Sequence, residues 1–305
     1  MNIYSCIDNK NISKIFVLFY SVFINCSNKN KLNFYLLIEN NIDEIELNAL
    51  IPNFLEGKIK IKSLESLSIK KWHNTIKEFN KFFYIQGHKC NNIMNFARFF
   101  IFLAFPEIDR FIYLDWDMIV HTDILNLEKE YEKNELIVAN SINFDFSTIV
   151  GNISNLSKRN FSILNAKKII DSSIFKIDYK KIKNDIIKKY DAIIYNVTSH
   201  KNSAKDKSFN SGFYIVSKKM FDQESLYNLI HKLILIQKKE KVFRFGTQVI
   251  MNLLSIKNVI FVDYKWNNKP DINNFISHWN GGDKPWESKD ELWMKYFNEM
   301  TLKVN

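Results

Sequence analysis

Short apolar segments alternate with longer segments of helical length over the first 140 residues of the chain. Apolar runs bounded by polar residues predict strands at 3–7, 34–38, 58–61, 111–114 and 136–139. The longer segments between them predict helices at 15–24, 42–54 and 92–105, the last ending before Pro106. Strands that alternate with helices imply crossover connections and an α/β fold, with a largely parallel sheet flanked by helices.

This alternation stops at residues 144–208, a polar, lysine-rich stretch with one predicted helix at 180–190. We interpret the stretch as an insertion within a single domain that spans 1–305. Beyond it, the pattern predicts strands and helices again, with strands at 213–216 and 259–262 and helices at 225–238 and 246–254. Residues 276–286 are expected to be irregular and, being rich in Trp and Gly, to be functional.

The composition restricts how a nucleotide could be bound. The chain has 305 residues, of which only 7 are Gly and 4 are Pro. The glycines are so widely spaced that neither a G-x-G-x-x-G turn nor a Walker-type phosphate loop can be written anywhere. A nucleotide, if the protein binds one, is therefore held by another kind of loop.

Cysteine use and hydropathy indicate a cytoplasmic protein. Cys6, Cys26 and Cys90 are far apart and odd in number, which argues against a disulfide framework or a structural zinc site. The longest apolar run, 15–24, has about half the length of a membrane span. The first residues lack the basic region of a secretory signal, so we expect none.

The net charge of +10 is concentrated in one part of the chain. Residues 151–208 contain 13 Lys and Arg against 5 Asp and Glu, a local excess of +8. Peripheral contact with an anionic membrane is one prediction from this excess, and a solvated lysine surface is the equally weighted alternative. Nucleic acid is not an expected partner, because few aromatic residues lie among these lysines and no recognition motif is present.

The strongest chemical signal is a pair of aspartates, Asp115 and Asp117, directly after the apolar run 111–114. In extended backbone this spacing points both side chains to the same side. Two like charges so close repel each other unless a cation lies between them, which favours a divalent metal. Ligands also bind at the carboxyl ends of strands in open α/β sheets. Two exposed aspartates in a loop, one of them capping a helix, are the alternative.

A second motif runs from His278 to Trp286 and reads His-Trp-Asn-Gly-Gly-Asp-Lys-Pro-Trp. Histidine suits Mn²⁺ alongside carboxylates. Gly281 allows close approach of the backbone, and Lys284 supplies a positive charge for a phosphate. When this motif is taken by itself, a histidine packed against tryptophan is the simpler interpretation.

Two further polar residues occupy apolar surroundings. Asn210 precedes Gly212 at the start of a predicted strand, where a turn explains the polar residue equally well. Arg98 lies within a predicted helix between phenylalanines, and burying an unpaired guanidinium there would be costly. Arg98 therefore needs an anion, which is either a structural carboxylate such as Asp115 or a diphosphate.

Together these residues resemble glycosyltransferase family 8, which contains glycogenin and bacterial lipopolysaccharide glucosyl- and galactosyltransferases. The resemblance covers most of the chain. It is carried by the opening through Asp8, the segment 34–38, the Asn95–Arg98 segment, Asp115-x-Asp117, Phe209–Gly212, Gln248-x-x-x-Asn252 and the closing His-x-x-Gly-x-x-Lys-Pro-Trp. The closing histidine motif combined with Asp115-x-Asp117 at this separation is specific, whereas either motif alone would be a weak signal.

The resemblance implies a GT-A-like nucleotide-diphosphate-sugar transferase fold in which Asp115, Asp117 and His278 hold Mn²⁺ or Mg²⁺. It implies that Asp8 reads the uracil and that the diphosphate is contacted by Lys284 and Gly281. The full set of implied nucleotide-sugar contacts is Asp8, Asp115, Trp116, Gly281 and Lys284. The residues implied to face the donor sugar as catalytic groups are Arg98, Asn210 and Gln248.

Family members retain the anomeric configuration of the sugar. Gln248 matches the position nearest the reacting face, but an amide is a poor nucleophile. A front-side, ion-pair-like substitution is therefore favoured over a two-carboxylate scheme.

Three positions depart from the family pattern. Thr247 precedes Gln248 where many relatives carry Asp, so a carboxylate expected to bind sugar hydroxyls is lost. Asn11 stands where an aromatic residue is common. The acidic residue expected after the run 136–139 has only Asn143 or Asp145 as nearby candidates.

The leading hypothesis is a metal-dependent retaining glycosyltransferase. It would move a hexose from UDP-glucose or UDP-galactose to a bacterial cell-surface glycan acceptor, such as lipooligosaccharide or capsule. The alternative is a catalytically weak UDP-sugar-binding or interaction protein, which the lost carboxylate at Thr247 motivates.

Overall fold

The computed structural model describes most of the chain outside residues 140–207. The described ranges are 1–67, 69–82, 84–85, 88–89, 93–127, 136–139, 208–221, 223–240, 246–255, 259–281 and 283–304. The predicted insertion at 144–208, apart from Ser208, lies outside these ranges, as do its predicted helix, Asn143 and Asp145.

Eleven strands are found within the described ranges. They are β1 (Asn2–Ile7), β2 (Asn33–Ile38), β3 (Ile59–Ser63), β4 (Tyr84–Ile85), β5 (His88–Lys89), β6 (Arg110–Leu114), β7 (Met118–Val120), β8 (Leu136–Ala139), β9 (Phe213–Ser217), β10 (Ile260–Val262) and β11 (Ile276–His278). Seven of them form the central sheet, in the order β10-β8-β9-β6-β1-β2-β3. All pairs in this sheet are parallel except those of β9, which runs antiparallel to β6 and β8. The mostly parallel sheet predicted from the sequence is therefore confirmed.

The α-helices within the described ranges are α1 (Ile12–Asn25), α2 (Glu44–Leu50), α3 (Lys70–Phe82), α4 (Met94–Ala97), α5 (Ile101–Ala104), α6 (Gln223–Glu240), α7 (Thr247–Ser255), α8 (Pro285–Ser288) and α9 (Glu291–Val304). They cover both faces of the sheet. Helices α3, α6 and α7 contribute buried side chains to one apolar layer, and α1 and α9 contribute to the other.

Alternate side chains of the central strands enter these two layers, because successive residues of a strand point to opposite faces. In β1, Tyr4 and Cys6 enter the layer of α3, whereas Ile3 and Ile7 enter the layer of α1. A strand buried on both faces reads as a nearly continuous apolar run, which explains why these strands were predictable. Cys6 and Cys26 are free thiols.

Two predicted helices differ from the structure. The segment 42–54 is helical only over Glu44–Leu50. It begins after Asp43, whose carboxylate accepts hydrogen bonds from backbone N–H groups of the first turn, and it ends before Pro52.

The predicted helix 92–105 consists instead of the two short helices α4 and α5. Between them, the N–H groups of Phe99 and Phe100 bond the carbonyls of Phe96 and Ala97, three residues back. This tighter 3₁₀-type spacing interrupts the α-helix.

Seven elements of the described ranges were not predicted: the helices α3, α8 and α9 and the strands β4, β5, β7 and β11. The last of these lies in the segment 276–286 that was expected to be irregular. No helix among the described residues combines the length and the hydropathy required for a membrane span.

Candidate functional site

The carboxyl end of β6 carries the two aspartates predicted from the sequence. The N–H of Asp115 donates to the carbonyl of Gly212 at 2.8 Å, which extends the pairing of β6 with β9 by one residue. Asp117 follows two residues later and directly precedes β7. Since β1 and β6 are parallel neighbours, Asp8 follows β1 at this same edge of the sheet. It is the edge at which α/β proteins bind ligands.

A short antiparallel ribbon of β7 and β11 brings the distant histidine to the aspartates. Met118 pairs with His278 in its register, and the N–H of Trp279 donates to the carbonyl of Asp117 at 3.1 Å. Because His278 lies directly across from the residue after Asp117, its ring reaches the carboxylates. The structure thus brings together three residues that the sequence analysis placed in one site.

One ligand atom from each of Asp115, Asp117 and His278 lies within 4.8 Å of the others. His278 Nε2 is 3.3 Å from Asp117 Oδ1 and 3.8 Å from Asp115 Oδ2. Asp117 and His278 are buried, while the Asp115 side chain is 22% exposed and so accessible from outside. Two carboxylate oxygens and one imidazole nitrogen form a donor set that fits Mn²⁺ or Mg²⁺.

Asp117 also forms an ion pair with Lys284, whose Nζ lies 2.5 Å from Oδ2. Burial by itself would raise the pKa of Asp117, but His278 and Lys284 outweigh burial and lower it to about 2. The carboxylate is therefore ionised at neutral pH and available as a ligand. Lys284 reaches this position because it immediately precedes α8, and its Nζ also donates to the carbonyl of Trp279.

Asp115 is held on its other side by Tyr113 and Arg98. The Tyr113 hydroxyl donates to Oδ1 at 2.6 Å, and Arg98 Nη2 lies 3.4 Å from the same oxygen. Arg98 is buried, and its Nη1 donates to the carbonyl and the hydroxyl of Ser211, both at 2.9 Å. Of the two anions considered for Arg98, the structure provides the carboxylate of Asp115.

Gly212 lies where the site is most crowded. A Cβ at this position would be 2.5 Å from His278 Cε1, 2.8 Å from Asp115 Oδ2 and 2.9 Å from Asn210 Oδ1. These separations are far shorter than van der Waals contact. Glycine at 212 is therefore what allows the imidazole and the carboxylate to approach each other.

Asn210 and Asn267 form a small amide network beside His278. The side-chain oxygen of Asn210 accepts the N–H of Gly212 at 2.8 Å, closing a local turn. Asn267 Nδ2 lies 3.2 Å from both oxygens of Asn210, and Asn267 Oδ1 lies 2.8 Å from His278 Nδ1. The turn considered for Asn210 is therefore present, and its Nδ2 makes no hydrogen bond within the described residues.

Gln248 lies in the first turn of α7 and is half-buried. Its carbonyl accepts a hydrogen bond from Asn252 Nδ2, and Asn252 also bonds both the N–H and the carbonyl of Phe209. Asn252 thus ties α7 to the segment that leads to Asn210. Thr247, next to Gln248, is buried and carries no charge.

Asp8 accepts a hydrogen bond from Asn11, which in turn accepts one from Lys14. The Lys14 ammonium lies 4.8 Å above the ring of Trp286, and Trp286 stacks on Trp116 with ring centroids 4.4 Å apart. This chain of contacts links the end of β1 to the residue between the two aspartates.

Gly281 has a φ of +134°, a conformation that favours glycine, and open space lies where a Cβ would be. Its neighbour Gly282 lies outside the described residues.

Sequence reasoning missed Asn267, Ser211 and Tyr113. Asn267 is one of several asparagines in an asparagine-rich chain, and it lies 11 residues before His278. The one feature of the sequence that could have pointed to Asn267 is its position directly after Trp266, in the segment that leads to β11. Ser211 lay inside a quoted motif, and Tyr113 lay inside a strand whose residues were all expected to serve the core.

Comparison with known proteins gives a family match over nearly the whole chain. The sequence model described as "Glycosyl transferase family 8" matches residues 2–290. No curated protein matches the chain.

Solved structures of glycosyltransferases share the fold. The galactosyltransferase LgtC in complex with donor and acceptor sugar analogs has a TM-score of 0.57 at 16% identity, covering 100% of this chain and 95% of LgtC. GlyE of Streptococcus pneumoniae has a TM-score of 0.55 at 17% identity, covering 100% of this chain and 63% of GlyE. Mouse xyloside xylosyltransferase 1 has a TM-score of 0.54 at 16% identity, covering 92% of this chain and 98% of the mouse protein.

Proposed function

This chain belongs to glycosyltransferase family 8, and from that premise we propose that it transfers a hexose from UDP-glucose or UDP-galactose to a cell-surface glycan such as lipooligosaccharide or capsule. The observation that carries the proposal is the cluster of Asp115, Asp117 and His278. Lys284 forms an ion pair with Asp117 of this cluster, at the edge of the sheet where ligands bind, and Gly281 lies between His278 and Lys284 in the sequence. This arrangement suits a nucleotide diphosphate. Because the chain has no Gly-rich loop to bind the phosphates, their negative charge must be balanced by other groups, here a bound cation and Lys284.

In this proposal Asp115, Asp117 and His278 hold Mn²⁺ or Mg²⁺. When bound, such a cation supplies positive charge that stabilises the diphosphate as the glycosidic bond breaks. Lys284 provides a second positive charge for the diphosphate, Gly281 leaves room for close approach of its phosphates, and Asp8 reads the uracil. Trp116 contributes an aromatic surface beside the nucleotide.

The donor sugar lies, in this proposal, between Arg98, Asn210 and Gln248. Both oxygens of Asn210 are engaged by Asn267, so Nδ2 is the Asn210 group left for a sugar hydroxyl. LgtC, which shares the fold, has been solved with donor and acceptor sugar analogs, which supports looking for both sugar subsites here. Thr247 stands where a carboxylate was expected to bind the hydroxyls of the donor sugar. This position therefore does not discriminate between glucose and galactose in the way that the family pattern would.

We propose that the reaction retains the anomeric configuration through a front-side substitution. The bond from the sugar C1 to the diphosphate oxygen breaks, and the acceptor oxygen bonds C1 on the same face. The acceptor proton passes to the departing diphosphate. The Gln248 amide is too weak a nucleophile to form a covalent intermediate, which is why a double displacement through this residue is not proposed.

The proposal is tested by turnover of UDP-sugars with and without Mn²⁺, using Asp117→Asn. We expect this variant to lower turnover at least about 100-fold, because it removes a ligand charge at the leaving group. Asp109→Asn is the matched control, since Asp109 is exposed and precedes the opposite end of β6. The anomer of the product, read by proton NMR, tests retention in the same samples.

Turnover that survives both chelation and Asp117→Asn would contradict the proposal. Mn²⁺-dependent binding of UDP without transfer to any acceptor in a broad panel would instead support the second candidate, a UDP-sugar-binding protein. The observation that favours this candidate is Thr247, which is buried and uncharged next to Gln248.

A further inference from the structure

The imidazole of His278 is held from behind by an asparagine. Asn267 follows the short 3₁₀ turn Tyr264–Trp266, and its Oδ1 lies 2.8 Å from His278 Nδ1. The opposite ring nitrogen, Nε2, points to Asp115 and Asp117. The two nitrogens of one ring therefore face an amide on one side and two carboxylates on the other.

The partners of Asn267 determine which way its amide points. The other terminal atom of its amide, Nδ2, lies 3.2 Å from both the backbone carbonyl oxygen and Oδ1 of Asn210. Asn210 Oδ1 is fixed as an oxygen, because it accepts the N–H of Gly212. Only the NH₂ group of Asn267 can bond two oxygens, so its own oxygen faces His278.

This orientation determines the tautomer of His278. An amide oxygen accepts but cannot donate, so His278 Nδ1 carries the proton. In the neutral ring Nε2 then holds a lone pair, which a nitrogen needs to bind a metal. The backbone supports the same placement, because the N–H of His278 donates to the carbonyl of Asn268 at 2.8 Å.

We propose that Asn267 is a positioning residue that fixes the tautomer and the ring orientation of His278, with Asn210 holding the amide of Asn267 in turn. The proposal rests on the proposed function insofar as the cluster binds a divalent cation. It gives Asn210 a second role besides contact with the sugar. It also connects the segment 208–212 with β11 through side chains rather than through strand pairing.

The first test is ¹⁵N NMR of protein labelled at histidine, recorded without metal and on the neutral form of the imidazole. The resonance is assigned with His278→Gln. We expect the wild type to carry its proton on Nδ1, and Asn267→Ala to lose this preference. Asn267→Asp loses the NH₂ group that bonds Asn210 but retains an oxygen acceptor for Nδ1, and it is therefore expected to retain the tautomer. A proton on Nε2 in the wild type would overturn the proposal.

The second test is calorimetric titration with Mn²⁺ alone. Asn267→Ala is expected to weaken Mn²⁺ binding roughly 10- to 100-fold, with Asn267→Asp closer to the wild type. Asn268→Ala is the matched control, because its side chain forms no hydrogen bond within the described residues and its carbonyl is retained.

Wild-type affinity for Mn²⁺ in Asn267→Ala would overturn the positioning role while leaving the proposed function standing. Failure of the wild type and of Asn268→Ala to bind Mn²⁺ would instead overturn the proposed function. In that case the NMR experiment still decides the tautomer, because it uses the metal-free protein.

Discussion

Gly212 shows how strongly one position can constrain the site. The three atoms that a Cβ would strike belong to His278, Asp115 and Asn210, all side chains of the candidate metal site and its support. No backbone atom is among them, so a methyl group would displace these side chains rather than the strand. The steric requirement at 212 is therefore specific to the site, although Gly212 also opens β9.

Gly212→Ala is expected to weaken Mn²⁺ binding markedly and to leave the folded state intact. The added methyl group must push His278 away from Asp115, and the donor atoms then no longer converge. Calorimetric titration with Mn²⁺ measures this loss, and thermal unfolding reports on the fold. Affinity for Mn²⁺ equal to that of the wild type would contradict the steric argument.

Gly57→Ala is the matched control for Gly212→Ala. Gly57 has a φ of +68°, and no atom lies within 4 Å of where its Cβ would be. An alanine there costs about 1–2 kcal/mol of backbone strain without touching the site. We expect this variant to melt at a lower temperature and to bind Mn²⁺ as the wild type does.

Residue type decided which parts of the site could be predicted from the sequence. Aspartate and histidine are residue types that commonly ligate metals, and Asp115 and Asp117 follow an apolar strand, so the candidate site with His278 could be predicted from the sequence. Asn267 and Ser211 act by hydrogen bonds that depend on the approach of segments distant in the sequence. Nothing in their local pattern distinguishes them from other polar residues.

At the scale of elements, the ribbon of β7 and β11 assembles the site. Each of these strands has three residues, which is too short for a periodic signal, so neither was predicted. Strands of the central sheet were predictable because burial on both faces makes them apolar throughout. The prediction of one continuous helix at 92–105 was wrong, because the apolar residues of this segment do not indicate where a 3₁₀ turn interrupts the α-helix.

His121 contacts the ribbon at the end away from the candidate metal site. Its Nε2 lies 2.9 Å from the hydroxyl of Ser277 in β11, and its Nδ1 lies 3.1 Å from the hydroxyl of Tyr296 in α9. Burial lowers the pKa of His121 to about 4, with Lys295 adding to the effect and Asp271 opposing it. In the folded protein the imidazole of His121 is therefore neutral above about pH 4.

The stability of the ribbon should depend on pH through His121. Between its ordinary pKa of about 6.5 and the folded value, the unfolded chain binds a proton that the folded chain does not. The contribution of His121 to the free energy of unfolding is therefore greatest above about pH 6.5, decreases as the pH falls, and becomes constant below about pH 4. We expect the melting temperature to drop less between pH 7 and pH 4.5 in His121→Gln than in the wild type.

His73→Gln is the control for this measurement, because His73 is exposed. The pKa of His231 is also lowered by burial, but His231 is present in every protein compared. Its effect cancels in the difference between variants. Parallel pH profiles for the wild type and His121→Gln would contradict the role given to His121.

At the scale of the whole molecule, the mostly parallel sheet flanked by helices is that of GT-A glycosyltransferases. The motifs around Asp8, Asp115-x-Asp117, Phe209–Gly212 and His278–Lys284 meet at one edge of this sheet, although they are spread from β1 to α8. This convergence could be expected from the order of strands and motifs. The reversed strand β9 could not, because parallel and antiparallel neighbours give the same apolar run when both faces are buried.

Charge is distributed unevenly over the molecule, with an excess of +8 in residues 151–208 out of a total of +10. A basic segment of this kind is attracted to anionic lipids, by about 1 kcal/mol for each Lys close to the surface. We propose that it brings the enzyme to the membrane that presents a glycolipid acceptor. Screening by salt would weaken this attraction.

Vesicle sedimentation tests the membrane proposal directly. We expect the protein to sediment with vesicles that contain phosphatidylserine, to remain in solution with phosphatidylcholine alone, and to be released by salt. Replacing Lys167, Lys168, Lys188 and Lys189 by Gln should weaken binding roughly fivefold for each lysine that lies near the lipid. Replacing Lys58, which lies far from this segment in the sequence, should have little effect. Equal partitioning to both kinds of vesicle would contradict the proposal, since a solvated lysine surface does not distinguish them.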